Sequence, residues 1–269
     1  MRKKIIYLIV FLMILGAAFA GYKAWDKYTQ YAREEQVSQE LQQYIDLTAT
    51  EAATQSPTQS TAPENPTEPT PETTLPTQPE EDPVYYPAVD FESLTAINPD
   101  VIGWIYIEGT SINYPIVQGE DNRHYVSTMA DGQPNSCGSI FMDYRNQQDF
   151  SDRHTVIYGH NMRNGSMFAD IVKYKKPEYL AAHPTGKIMT PNGNFEFQVI
   201  GGYVAHLSDA AWQLEFANDK DFGAWLEASL EKSTVDAAVI PESGAKIITL
   251  STCSYEFSNA RFVLICIVK

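Results

Sequence analysis

A thiol and a guanidinium stand at the ends of two apolar runs near the C-terminus. "KIITLSTC" delivers Cys253 after the run Ile247 to Leu250, and Arg261 opens the next run, "RFVLICIVK", eight residues later. If the two runs are neighbouring strands, thiol and guanidinium meet at their facing ends. Serine and threonine hydroxyls beside Cys253, and a nearby cation, favour thiolate over thiol. A thiolate can attack a carbonyl, and a preorganised guanidinium can offset the charge that then builds on oxygen. On spacing alone, a structural role for Cys253 stays open. Cys266 lies inside an apolar run and reads as a buried thiol. Cys137 precedes Gly138 in a loop and has no obvious partner. Three cysteines, an odd and low count, do not make a disulfide framework.

A cysteine nucleophile needs an acid/base partner. The chain has five histidines, His124, His154, His160, His183 and His206. Only "TVIYGHNM" places one of them, His160, just after an apolar strand-like run, where the imidazole leaves the core. A plain turn histidine is the competing reading of this residue alone. No pair of histidines has zinc-ligand spacing with a second cysteine, and no phosphate-binding glycine motif is present. No cofactor and no metal are expected.

Short strands must position these groups. "VIGWIYIEG", "SINYPIVQG", "GSIFMDY", "HTVIYGH", "GKIMTP", "FEFQVIGGYVAH", "AKIITLSTC" and "RFVLICIVK" are eight strand candidates set off by turn residues. Helical patterns interrupt them at Phe91 to Ile97, around Phe168 to Tyr174, and at Asp219 to Lys232, where Phe222, Trp225, Leu226 and Leu230 keep a helical period. The pattern predicts a mostly β domain, a closed or nearly closed barrel with inserted helices, over residues 84–269.

Ahead of it the chain changes character. "MRKK" precedes "IIYLIVFLMILGAAFAGY", Ile5 to Tyr22, an uncharged run close to the length that spans a bilayer. Arg2, Lys3 and Lys4 favour an N-inside orientation, with the rest of the chain outside. A cleaved signal peptide is the alternative, since "AFA" at Ala18 to Ala20 fits a small-x-small site; both readings export the remainder of the chain. Residues 1–22 are thus read as cytoplasmic tip and membrane anchor. Residues 23–47 are read as a juxtamembrane helix, either solvated or a dimer contact. Residues 48–83 hold eight prolines, ten threonines, seven acids and no base. They are read as a disordered, extended stalk that holds the domain off the membrane, with a reach of ~110 Å at ~3.1 Å per residue. The net charge is −15, and an acidic chain of this kind does not attract nucleic acid.

Taken together, "TLSTC", Arg261 opening the next strand, and "YGHNM" resemble the active-site motifs of sortases, the membrane-anchored cysteine transpeptidases of Gram-positive surfaces. "INPDVIGWIYIEGTSINYPIVQG", "GSIFMDYRN" and the helix at Asp219 to Lys232 resemble class B members in particular. The resemblance implies an eight-stranded sortase barrel in a single-pass protein whose catalytic domain is extracellular. It implies Cys253 as nucleophile, His160 as general acid/base and Arg261 as stabiliser of the substrate carbonyl, with backbone N–H groups completing the oxyanion hole. It puts Asn122, Ser251 and Thr252 near the substrate pocket, and Tyr255 with Glu256 at its rim; an ordinary turn asparagine and strand serine remain the alternatives. The implied partners are surface proteins with a C-terminal sorting signal and a peptidoglycan precursor or cross-bridge amine. A pilin-polymerising sortase is the rival enzyme, although the lid motif of Asp-Pro followed by an aromatic is not met by Asp82-Pro83-Val84. A non-catalytic adhesion module on a stalk is the rival of another class. No acid near His160 suggests itself as an orienter of the imidazole.

Overall fold

The computed structural model describes residues 2–52, 85–237, 239, 241 and 244–269. Eight strands close a barrel: β3 (Val101–Tyr106), β4 (Asn113–Val117), β5 (Ile140–Met142), β6 (His154–Tyr158), β7 (Thr185–Thr190), β8 (Gly193–Ala205), β9 (Ile247–Cys253) and β10 (Arg261–Val268), in the order β10-β8-β7-β3-β4-β5-β6-β9. These are the eight apolar runs of the sequence. β9 is buried from Ile247 to Thr252 because it lies inside the barrel wall, antiparallel to β10 and parallel to β6. That double burial accounts for its apolar residues Ile247, Ile248 and Leu250. The interior is filled by Ile105, Ile116, Ile157, Ile188, Phe197 and Phe262, all fully buried.

The helices sit outside. α2 (Phe91–Ile97) is capped by Asp90, whose side chain accepts from the Ser93 amide. α3 (Pro177–Ala182) starts with proline at its first position. A 3₁₀ helix, Ala169–Lys175, precedes it, so the helix expected around Phe168 to Tyr174 is a tight-turn helix shifted by one residue. α4 (Asp219–Glu231) is capped by Asn218 and lays Phe222, Trp225 and Leu226 on the barrel. It comes close because β8 carries glycine at 201, where a Cβ would lie 2.8 Å from Leu230.

The N-terminal part differs from the sequence expectation in two ways. α1 is one continuous helix, Arg2–Gln42, about 60 Å long. It does not end in a solvated juxtamembrane piece. Glu34, Val37 and Leu41 are buried, and the latter two pack with Tyr86, Leu94, Val101, Trp104 and Met129. Glu34 is the polar member of this buried face, and Trp25 and Tyr28, nearer the N-terminus, are exposed. Polar contacts extend the dock: Gln42 Nε2 donates to Asn113 O (3.2 Å), and Asn135 Nδ2 donates to Gln30 O (3.0 Å).

Residues 48–52, assigned to the stalk, instead belong to β1 (Ile45–Ala52), which pairs antiparallel with β2 (Tyr85–Val89). The remainder of the expected stalk, 53–83, lies outside the described residues. Its two ends are nonetheless fixed, since Ala52 is registered opposite Tyr85. Ala52 and Tyr85 thus stand at one place, and the distance from the apolar helix to the barrel is set by the dock of α1. The apolar residues Ile6 to Leu15 and Phe19 are solvent-exposed, as a membrane-spanning stretch would be outside its lipid.

Candidate active site

Strand register assembles the site. Cys253 closes β9 and Arg261 opens β10, directly opposite each other. β6 runs parallel to β9 with Tyr158 beside Ser251, so the two residues after β6 land beside the end of β9. The Gly159 amide donates to Ser251 O (3.1 Å), and Thr252 Oγ1 donates to Gly159 O (2.7 Å). These bonds place His160 beside Cys253, close enough for each side chain to shift the titration of the other. Asn161 Nδ2 donates to Cys253 O (2.9 Å), holding the chain at the thiol from the same segment.

The electrostatics favour an ion pair. The His160 imidazole pulls the Cys253 thiol below its ordinary value, against burial and with help from the Arg261 charge. His160 moves up, chiefly through Cys253, with the Val126 carbonyl assisting and burial and Arg261 opposing. The other two thiols go the opposite way: burial pushes Cys137 up to about 11 and Cys266 higher still. Of the three thiols, only Cys253 is shifted toward the thiolate. His160 Nε2 lies 2.8 Å from Val126 O, so its proton is shared with a carbonyl, and Nδ1 is the nitrogen left for the thiol.

A groove of about 320 Å³ opens over these groups. Asn122, Ser251 and Thr252 line it, and each is held within the protein. Asn122 Nδ2 donates to Asp143 Oδ2 (2.9 Å), and its Oδ1 accepts from the Tyr144 amide (3.0 Å). Ser251 Oγ accepts from Trp212 Nε1 (3.1 Å). The Thr252 hydroxyl is committed to Gly159. Tyr255 is not part of the lining; it is 75% exposed, and its hydroxyl reaches Asn161 O (3.3 Å). Glu256 pairs with Lys175 rather than facing the groove.

Other lining residues went unread in the sequence: Val126, Phe141, Tyr158, Leu207 and Trp212. Phe141 and Tyr158 stand in the quoted strands "GSIFMDY" and "HTVIYGH", where alternation could have exposed them. Leu207 and Trp212 come from an irregular loop without a pattern. Beneath the groove, fully buried Asp143 accepts from Arg145 Nε and Nη2 (2.9 and 2.8 Å), Tyr158 Oη (2.9 Å) and Asn122. Burial alone would raise this carboxyl, but the donors, led by Arg145, outweigh it and hold it low. His154 is a core histidine: burial pushes it down to about 4, and it bridges Gln213 O and Thr249 Oγ1. No cluster of three metal-ligating side chains occurs among the described residues.

Comparison with known proteins gives a consistent result. A family model described as a sortase domain matches residues 105–267. Sortase B of Listeria monocytogenes is 37% identical over 177 residues, 65% of this chain and 72% of that protein. Sortase B of Staphylococcus aureus is 32% identical over 179 residues, 66% and 73% respectively. Its 2.0 Å crystal structure aligns with a TM-score of 0.63 at 33% identity, over 66% of this chain and 86% of that one. Sortase B of Bacillus anthracis aligns at 0.70 and 27% identity, over 90% and 98%.

Proposed function

The chain belongs to the sortase family, within class B, and from that premise we propose that Cys253, His160 and Arg261 carry out its transpeptidation. The observation that supports this assignment best is the meeting of Cys253, His160 and Arg261 in one groove, with Arg261 in register opposite Cys253. The Cys253 thiolate attacks the carbonyl carbon of a peptide bond in a C-terminal sorting signal. Charge moves to the carbonyl oxygen, where the Arg261 guanidinium offsets it. As the C–N bond breaks, the His160 imidazolium gives its proton to the departing amine. The acyl group is then a thioester on Sγ. An incoming cell-wall amine, from a peptidoglycan precursor or cross-bridge, attacks that thioester and gives a proton to the neutral imidazole. The C–S bond breaks, and thiolate and imidazolium are restored.

The groove over Cys253 receives the signal, with Asn122, Tyr158, Leu207 and Trp212 along its walls. The apolar part of α1 crosses the cell membrane, and the barrel stands outside it. The test combines the full chain in vesicles with sorting-signal peptides and amine acceptors, followed by mass spectrometry. An acyl adduct on Cys253 and its transfer to amine are expected. Undiminished turnover by Cys253→Ala would overturn the assignment.

A further inference from the structure

The nitrogen of His160 that faces away from the thiol meets a backbone carbonyl, Val126 O, not an acid. A carbonyl cannot be chosen by side chain, so something must hold it in place. Val126 ends a one-turn 3₁₀ helix, His124–Val126. In its middle, Tyr125 is 1% exposed. Its hydroxyl donates to Asp100 Oδ2 (2.7 Å) and accepts from Asn98 Nδ2 (2.9 Å). Burial, with the Asp100 carboxylate, pushes the phenol up to about 12, so it stays a donor across the working pH range. From the other side the Ser139 amide donates to Tyr125 O (3.0 Å). That close approach requires glycine at 138: its φ is +61°, and a Cβ there would lie 2.6 Å from Tyr125 O and 2.7 Å from Val126 O.

We propose that Tyr125 and Gly138 are positioning residues for proton transfer, holding the Val126 carbonyl against His160 Nε2–H so that Nδ1 faces Cys253. The proposal rests on the acid/base reading of His160. It supplies the imidazole orienter that the sequence lacked, and it builds that orienter from main chain. Tyr125 pins the turn from the barrel side, and Gly138 lets the 137–139 segment close over it. Neither touches the groove's reacting groups, so both act through Val126.

The groups that bear on His160 are Cys253 on β9, which favours its charged form, and Arg261 on β10, which opposes it. The carbonyl stabilises the imidazolium. When it shifts away, the imidazolium gives up its proton more readily and the thiolate loses its partner. The pH midpoint for thiolate formation at Cys253 must then rise, and the fraction of active ion pair at neutral pH must fall.

The experiment uses the full chain in detergent micelles and compares Tyr125→Phe, Gly138→Ala and His160→Ala. It reads kcat and KM for a sorting-signal peptide, and the pH midpoint of Cys253 alkylation by a small neutral reagent. Tyr125→Phe keeps the ring and its packing; kcat should fall about tenfold with KM nearly unchanged, as for a misplaced catalytic group. The alkylation midpoint should move up. Gly138→Ala should do the same more strongly; if circular dichroism shows that it fails to fold, Tyr125→Phe decides. Wild-type kcat and midpoint in Tyr125→Phe, with His160→Ala inactive, would overturn the proposal and leave the acid/base reading intact. Turnover retained in His160→Ala would overturn that reading, and the proposal with it.

Discussion

Arg261 and Cys253 face each other across β9 and β10, so the guanidinium can act in two ways, on the thiolate and on the oxyanion. They separate by measurement. Alkylation of Cys253 builds no oxyanion, whereas peptide turnover does. Arg261→Ala should cost ~10²–10³ in kcat, typical of losing one oxyanion donor. Arg261→Lys should cost less, since charge survives but the planar fork does not. The alkylation rate at neutral pH should change only modestly, because His160 contributes more than Arg261 to lowering the thiol. Parallel collapse of both rates would assign Arg261 to the thiolate instead. His160→Ala gives the complementary result. Without its main partner the thiol returns toward its ordinary value, so the alkylation midpoint moves up in pH. The three side chains at the centre were readable in the sequence because each follows or opens an apolar run, and strand ends are where polar chemistry can leave a core. The Val126 carbonyl was not readable, since a backbone acceptor has no residue type. Tyr255 misled for a related reason: proximity in sequence to Cys253 says nothing of the direction in which the loop turns.

The loop between β9 and β10 carries the nucleophile's neighbours and is tied down from outside. Lys175, on the 3₁₀ helix after the His160 segment, reaches Ser254 Oγ (3.2 Å) and pairs with Glu256, and its ammonium lies over the Phe262 ring. Ser254 also bonds Glu256, and its amide donates to Ala260 O (3.0 Å). Lys175 and Ser254 hold the Glu256 carboxyl at about 2. A depressed carboxyl stabilises the fold above its unfolded value, and the contribution is lost as pH falls toward 2. Both partners are partly solvated, so the pair is worth at most about 1 kcal/mol. Lys175→Met should therefore leave the urea midpoint almost unchanged. It should nevertheless speed amide exchange over residues 254–260 and lower kcat severalfold, because Cys253 begins that loop. At this scale the strands were legible from apolar runs. Alternation and turn residues are local signals. The buried face of α1 was not read as such, because it includes Glu34, a carboxyl that burial pushes up.

For the whole molecule, the dock of α1 on the barrel makes the apolar helix and the catalytic domain one folded unit. The first polar contact, Lys27 Nζ with Ser136 Oγ (3.4 Å), comes five residues beyond Tyr22, about 8 Å along the helix. The barrel is therefore held close above the apolar segment, not at the far end of a long tether. A chain beginning at residue 24 should keep its stability and its peptide turnover. One beginning at 84 loses Val37, Leu41 and Ile45 from a cluster with Tyr86, Val101 and Met129. Burial of three such side chains is worth on the order of 5 kcal/mol, and urea titration of the two chains should show a loss of that size in the shorter one. The closure of β1 on β2 carries one more consequence, for chain entropy. The main-chain bonds between β1 and β2 hold the two ends of the 32-residue stretch 53–84 at one place. Its length is decoupled from the reach of the enzyme, so this stretch can lengthen or shorten with no change in where the groove stands. Replacing it with a four-residue turn removes three doublings of loop length, and should raise folding stability by about 2 kcal/mol while leaving turnover as it was.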